Sequence, residues 1–140
     1  MDPNTPIDGH AIPPGDWRWP HFKPSELACK GDGKLLIVPA FLDRLEHLRA
    51  EFGRPLAITS GYRSPAYNAR VAATGTDGPH TTGRALDLLV RGADALDLLA
   101  IARGLGFTGF GIAQKGAVRY LHLDDLPAAP GRPRPWLWSY

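Results

Sequence analysis

The segment Arg84-Ala-Leu-Asp-Leu-Leu-Val90 constrains this chain more than any other. It has the composition of a buried β-strand, yet a carboxylate, Asp87, sits in the middle of it. An ionised carboxylate left unpaired in an apolar interior carries a large desolvation cost. A fold that buries this strand must therefore supply Asp87 with a cation or with hydrogen-bond donors. His80 precedes it in a turn-forming loop, Gly-Pro-His-Thr-Thr-Gly, and Gly83 lets that loop bend tightly enough to bring imidazole and carboxylate together. A metal bound jointly by His80 and Asp87 would meet the requirement.

The segment Tyr-Leu-His-Leu-Asp-Asp, residues 120–125, adds to this. In strand geometry Tyr120, His122 and Asp124 point to one face, while Leu121 and Leu123 point to the other. The leucine face belongs in a core. The opposite face presents a phenol, an imidazole and a carboxylate in a row, and Asp125 turns away from it. Two histidines and one carboxylate leave a fourth position on a zinc ion open, as in catalytic rather than structural sites. Arg63, in the loop Ser-Gly-Tyr-Arg-Ser-Pro-Ala-Tyr-Asn, carries a planar fork suited to bidentate capture of a carboxylate. On that segment alone, a structural arginine bonding loop carbonyls fits as well. His47 falls on the mostly charged face of a helix and reads as solvated or half-buried rather than as a metal ligand. Cys29, the single cysteine, reads as a small buried hydrophobe and excludes an intramolecular disulfide.

The elements around these residues follow from periodicity. Phe41, Leu42, Leu45, Leu48 and Phe52 recur at helical spacing, with Pro39 suited to the first turn and Gly53 to the end, so a helix is predicted over 39–52. Ser25 is the expected N-cap of a short helix before Ala28. Residues 55–59 and 84–90 read as strands, 66–73 as a short helix and 93–106 as a second long helix. The segments GFTGFGIAQ and AVRYLHLDD form a hairpin joined at Lys115-Gly116. The tail APGRPRPWLWSY has no periodicity and is expected to lie along the surface. The fold class is α+β: a small, largely antiparallel sheet with helices packed on one face. Residues 1–20 form an extended N-terminal arm and residues 21–140 a single domain with a Pro/Trp-rich C-terminal tail.

A length of 140 residues suits one core, and a 44% hydrophobic content is enough to order it. Sixteen glycines and fourteen prolines favour a loop-rich fold over a helical bundle. The net charge of +2, without a basic run, gives no support to nucleic-acid binding. No stretch has the length and apolarity of a membrane span, and no charged segment followed by an apolar run marks a secretory signal at the start. A monomer is expected.

Taken together, SGYRSPAYN, GPHTTGRALD, GFGIA and YLHLDD, in this order and spacing, resemble the D-Ala-D-Ala carboxypeptidase / L-Ala-D-Glu endopeptidase family of zinc peptidases. The fold of that family is shared with the Hedgehog signalling domain. The opening FKPSELACKGDG is similar to a branch common among phage and bacterial wall-lytic proteins, and the resemblance covers roughly residues 21–126. The pattern Ser-x-His-x-x-Gly-x-Ala-x-Asp is matched at His80, Gly83, Ala85 and Asp87, and a downstream His-x-Asp at His122 and Asp124.

The resemblance implies one zinc ion on His80, Asp87 and His122. It also implies Arg63 as the group that takes a substrate carboxylate, with Ser60, Tyr62 and Asn68 shaping its loop. Tyr120 is expected as an oxyanion donor, and a tyrosine simply packed on the strand fits as well. There are two departures. Gly78 stands where the family has serine, and Arg119 stands where many relatives carry the acidic general base. Asp124 is the nearest acid on the right face, as proton shuttle or as the partner that orients a zinc histidine or the Arg63 loop. The implied function is hydrolysis of peptidoglycan stem peptides, as a carboxypeptidase or an endolysin-type endopeptidase. The alternative is a zinc-containing, non-catalytic peptidoglycan-binding or phage structural module. The implied place of action is the cell wall or periplasm, with the chain phage-encoded or released by a holin or by lysis.

Overall fold

The computed structural model describes residues 5–140, so the first four residues of the expected N-terminal arm lie outside the described residues. The elements, in order, are β1 (Ile7–Asp8), α1 (Pro24–Leu27), β2 (Lys34–Leu35), α2 (Pro39–Phe52), β3 (Ile58–Ser60), α3 (Pro65–Val71), β4 (Ala85–Leu89), α4 (Gly92–Gly104), β5 (Gly109–Ala113), β6 (Tyr120–Asp124) and β7 (Trp136–Ser139). The architecture is α+β. Strands β1 and β2 pair as a two-stranded antiparallel ribbon, and the main sheet has the order β3-β4-β6-β5-β7. No helix among the described residues is long and apolar enough to cross a membrane.

The core forms as the apolar periodicity dictates. Phe41, Leu42, Leu45, Leu48 and Phe52 of α2 are buried, and α4 contributes Ala95, Leu98 and Ala102. These meet Leu86, Leu88, Leu121 and Leu123 on one face of the sheet, each at most 1% exposed. Each such side chain contributes about 1.5–3 kcal/mol on burial. Phe107 stands edge-on to Phe41, with ring centroids 6.1 Å apart. The α2 helix ends where Gly53 takes a left-handed conformation, φ 74°, and donates its N–H to the Arg49 carbonyl. Helix α1 starts two residues earlier than expected, with Lys23 rather than Ser25 as its N-cap. Pro24 opens it, and the Glu26 carboxylate accepts the Lys23 N–H at 2.8 Å. His47 is exposed and Cys29 is buried as a free thiol.

Two segments are more structured than their composition suggested. Trp19 is 2% exposed and its indole N–H reaches Asp43 of α2 at 2.8 Å, while Trp17 donates to the Trp19 and Phe22 carbonyls. The described part of the arm is thus docked on the helix. The tail holds a strand: β7 pairs in parallel with β5, the one parallel pairing in the sheet among the described residues. Its residues are largely exposed and carry no alternation, so only the backbone pairing with β5 defines it.

Register then determines what the sheet's other face presents. One row across all five strands reads Ser60, Asp87, His122, Gly111, Trp138. A flanking row reads Ala85, Asp124, Gly109, Trp136. The leucines between these rows point to the helices, and the polar rows face away from them.

Candidate metal centre

His80 enters this face from a 3-10 turn, Pro79–Thr82, between α3 and β4. Its Nδ1 lies 2.7 Å from the Gly61 carbonyl. A carbonyl only accepts, so Nδ1 carries the proton and Nε2 presents its lone pair to the site. That Nε2 lies 3.3 Å from Asp87 Oδ1. His122 offers the other ring nitrogen: its Nδ1 is 3.3 Å from the same Asp87 oxygen, and its Nε2 is 2.7 Å from Asp124 Oδ2. The three side chains are buried, and one ligand atom from each can be chosen so that all lie within 4.8 Å of one another. Among the described residues, Asp87 Oδ1 is a buried oxygen without a hydrogen-bond partner. An orphaned anionic oxygen between two imidazole nitrogens fits a cation as its missing partner.

The electrostatics agree. Burial alone would raise the Asp87 carboxyl, but the close approach and charge of His122 and His80 hold it well below the usual carboxylate range. Burial would lower His122, and the carboxylates Asp124 and Asp87 push it up instead. Asp124, also opposed by burial, is held down by His122 and Arg134.

Arg63 reaches the group from the loop after β3. Its Nε donates to Ser60 Oγ at 3.0 Å, its NH1 to Asn68 Oδ1 at 3.1 Å, and its NH2 lies 3.5 Å from Asp87 Oδ2. Asn68 is fully buried, and its amide nitrogen donates to Thr74 Oγ1 and the Gly75 carbonyl. Ser60 and Asn68 therefore aim the guanidinium. Tyr62 turns the other way: it is 5% exposed, lies in the hydrophobic core and does not line the cleft. The loop also accounts for Gly78, because a Cβ there would run into Thr74 and into Asn68, the residue that holds Arg63.

The cleft over the group measures about 780 Å³, with Tyr120, Trp138 and Tyr140 among its walls. Burial and the charge of Asp87 raise the Tyr120 phenol above its ordinary value, so it stays a donor at neutral pH. Asp124 lies on the expected face but beneath it, fully buried. His122, Arg134 and the Leu126 N–H occupy its oxygens, and it does not line the cleft. Asp125 is bound elsewhere, gripped by Arg84 at 2.8 and 2.9 Å and by Arg44 at 2.6 Å. Arg119 lines a separate groove with Arg54 and Arg91. Among the described residues, the acidic side chains lining the cleft are Asp77 and Asp87.

Reading the sequence missed Arg134, Trp138 and Tyr140, which the tail brings to the cleft. Trp138 packs on His122 with ring centroids 4.9 Å apart, directly over Gly111. The only available signal was the aromatic and arginine content of a segment without periodicity.

No curated protein and no solved structure matches the chain. A model of the family described as Peptidase M15 matches residues 20–124, a span that includes His80, Asp87 and His122. The buried group that could hold a metal thus falls inside the matched region, and this chain belongs to the Peptidase M15 family.

Proposed function

We propose that this peptidase is zinc-dependent, binds one ion at His80, Asp87 and His122, and hydrolyses peptide bonds in the stem peptides of peptidoglycan at the cell wall. The observation that carries the reading is Asp87 Oδ1, buried, unpartnered and 3.3 Å from a nitrogen of each histidine. Zinc held there supplies a Lewis acid and lowers the pKa of a bound water toward ~7.

The chain's own residues supply the rest. Arg63, aimed by Ser60 and Asn68, takes a substrate carboxylate and fixes the peptide relative to the metal group. Tyr120 donates a hydrogen bond to the oxygen that becomes negative as the carbonyl is attacked. Asp124 holds His122 in place rather than meeting substrate. Proton transfer to the departing amine falls to a group in the cleft, and Asp77 is the acidic side chain there besides Asp87. Both a carboxypeptidase cut and an endopeptidase cut suit this arrangement.

Placement of Arg119 in a separate groove favours a second reading, a zinc-containing binding module without turnover. Purified muropeptides separate the two. Chelator-sensitive release of new amine groups, lost in His122→Ala, is expected of the peptidase. Stem-peptide binding with no amine release under any metal loading would leave only the module.

A further inference from the structure

We propose that Arg134, in the tail beyond the family-matched residues, is a positioning residue for the metal group: its grip on Asp124 keeps the His122 proton on Nε2 and leaves Nδ1 free to ligate. The inference rests on the zinc reading above and adds a residue outside the span that defines the family.

The geometry carries it in three steps. Arg134 donates from Nε to Asp124 Oδ1 at 3.0 Å and from NH2 to Oδ2 at 2.8 Å. The two side chains are 5% and 0% exposed, so water does not compete for either. A two-point contact of this kind fixes the plane of a carboxylate as well as its charge. Oδ2 of that fixed carboxylate then lies 2.7 Å from His122 Nε2. An ionised carboxylate only accepts, so Nε2 must carry the proton. With the proton held there, a neutral imidazole has its lone pair on Nδ1, the atom 3.3 Å from the unpartnered oxygen of Asp87.

Trp138 closes the arrangement. Its ring packs on His122 and lies 5.2 Å beneath the Arg134 guanidinium. The tail therefore touches the ligand both through Asp124 and directly.

Bare electrostatics makes the opposite prediction, which gives the test its force. Arg134 is a cation near a site for a dication, so charge alone says that removing it tightens zinc binding. Positioning says that removal weakens it. Zinc affinity of the full chain would be measured by competition with a chromophoric chelator for the unmodified chain, R134Q, R134K and R132Q. Thermal unfolding of the metal-free proteins would run alongside. Arg132 is a matched control from the same tail, bonded to the Pro127 carbonyl and not to Asp124.

The dissociation constant should rise roughly 10- to 100-fold in R134Q, the range typical for loss of a partner behind a metal histidine. R134K should recover part of the loss, and R132Q should bind as tightly as the unmodified chain or more so. In zinc-loaded protein, the His122 Nε2–H resonance should exchange slowly with solvent and become fast-exchanging in R134Q. Affinity in R134Q equal to or tighter than that of the unmodified chain overturns the inference. If R134Q does not fold, R134K decides: it keeps the charge without the fork, and affinity within about twofold of the unmodified chain refutes positioning. An unmodified chain that takes up no zinc overturns the zinc reading and this inference together, a result distinct from either outcome.

Discussion

Gly109→Ala tests how tightly the polar face of the sheet is built. Gly109 is the cross-strand neighbour of Asp124 on β6, and a Cβ at this position would overlap the whole Asp124 carboxylate. A carboxylate at the end of a free side chain would swing aside at little cost. Asp124 has nowhere to go, because Arg134 holds both oxygens and His122 and the Leu126 N–H hold one each. Ordinary carbon contacts need about 3.5 Å, so the group must move by about 1 Å, which misaligns those bonds. Charge-assisted hydrogen bonds contribute about 1.5–3 kcal/mol each, and overpacking adds about 1–3 kcal/mol. With the bonds bent rather than lost, the net cost is about 3 kcal/mol. At roughly 2.1 cal/mol/K per residue, unfolding entropy for a chain of this length is about 0.3 kcal/mol/K, so Tm should fall by about 10 °C. Circular dichroism melts in chelator measure this without metal. Gly104→Ala is the control, since a Cβ there meets nothing within 4 Å. A Tm within about 3 °C of the unmodified chain for Gly109→Ala would show that the Asp124 network yields freely and refute the reasoning.

Zinc should stabilise the folded chain: at a free concentration about 100 times its Kd the gain is about 2.7 kcal/mol, a rise near 9 °C, reversed by chelator and absent in Asp87→Asn. A calorimetric scan with and without metal checks this. Arg63→Lys should lower kcat/KM on muropeptides by about tenfold or more with Tm nearly unchanged, because an ammonium cannot meet Ser60, Asn68 and a carboxylate in one plane. The folded Asp124 carboxyl is depressed. Its contribution is therefore complete above the unfolded value of about 3.9 and is lost as pH falls through the folded value. Metal-free stability should accordingly drop steeply below about pH 4, and less steeply in Asp124→Asn by urea titration. Phe107→Ala, which empties a fully buried ring position against Phe41, should cost about 3–5 kcal/mol by chemical denaturation.

Much of this was legible in residue order because local rules decide it. The α2 helix declared itself through five apolar residues at helical spacing, and observed and expected bounds coincide. Alternation in Tyr120–Asp124 placed His122 and Asp124 on one face, and the odd carboxylate in β4 announced its need for a partner. What alternation cannot give is depth. Asp124 shares a face with His122 but lies under the Arg134 side chain, and that depends on where the tail returns. The return was illegible because β7 is an exposed edge strand whose only ladder partner, β5, is more than twenty residues upstream. For Tyr62, the neighbours Ser60 and Arg63 suggest a cleft position, whereas backbone direction sends its ring into the core.

The loop that carries Arg63 and the turn that carries His80 are tied to each other twice. The Arg63 N–H donates to the His80 carbonyl at 3.0 Å, and His80 Nδ1 donates to the Gly61 carbonyl at 2.7 Å. Neither segment can shift without straining these bonds, so on the proposed reading the span between the guanidinium and the metal group would act as a gauge of fixed length. Any peptide that engages both ends is measured by it. A chain with its carboxylate one residue too far from the reactive carbonyl would seat one end only. On the proposed reading, selectivity for the bond cut would then follow ruler length, set by two backbone carbonyls.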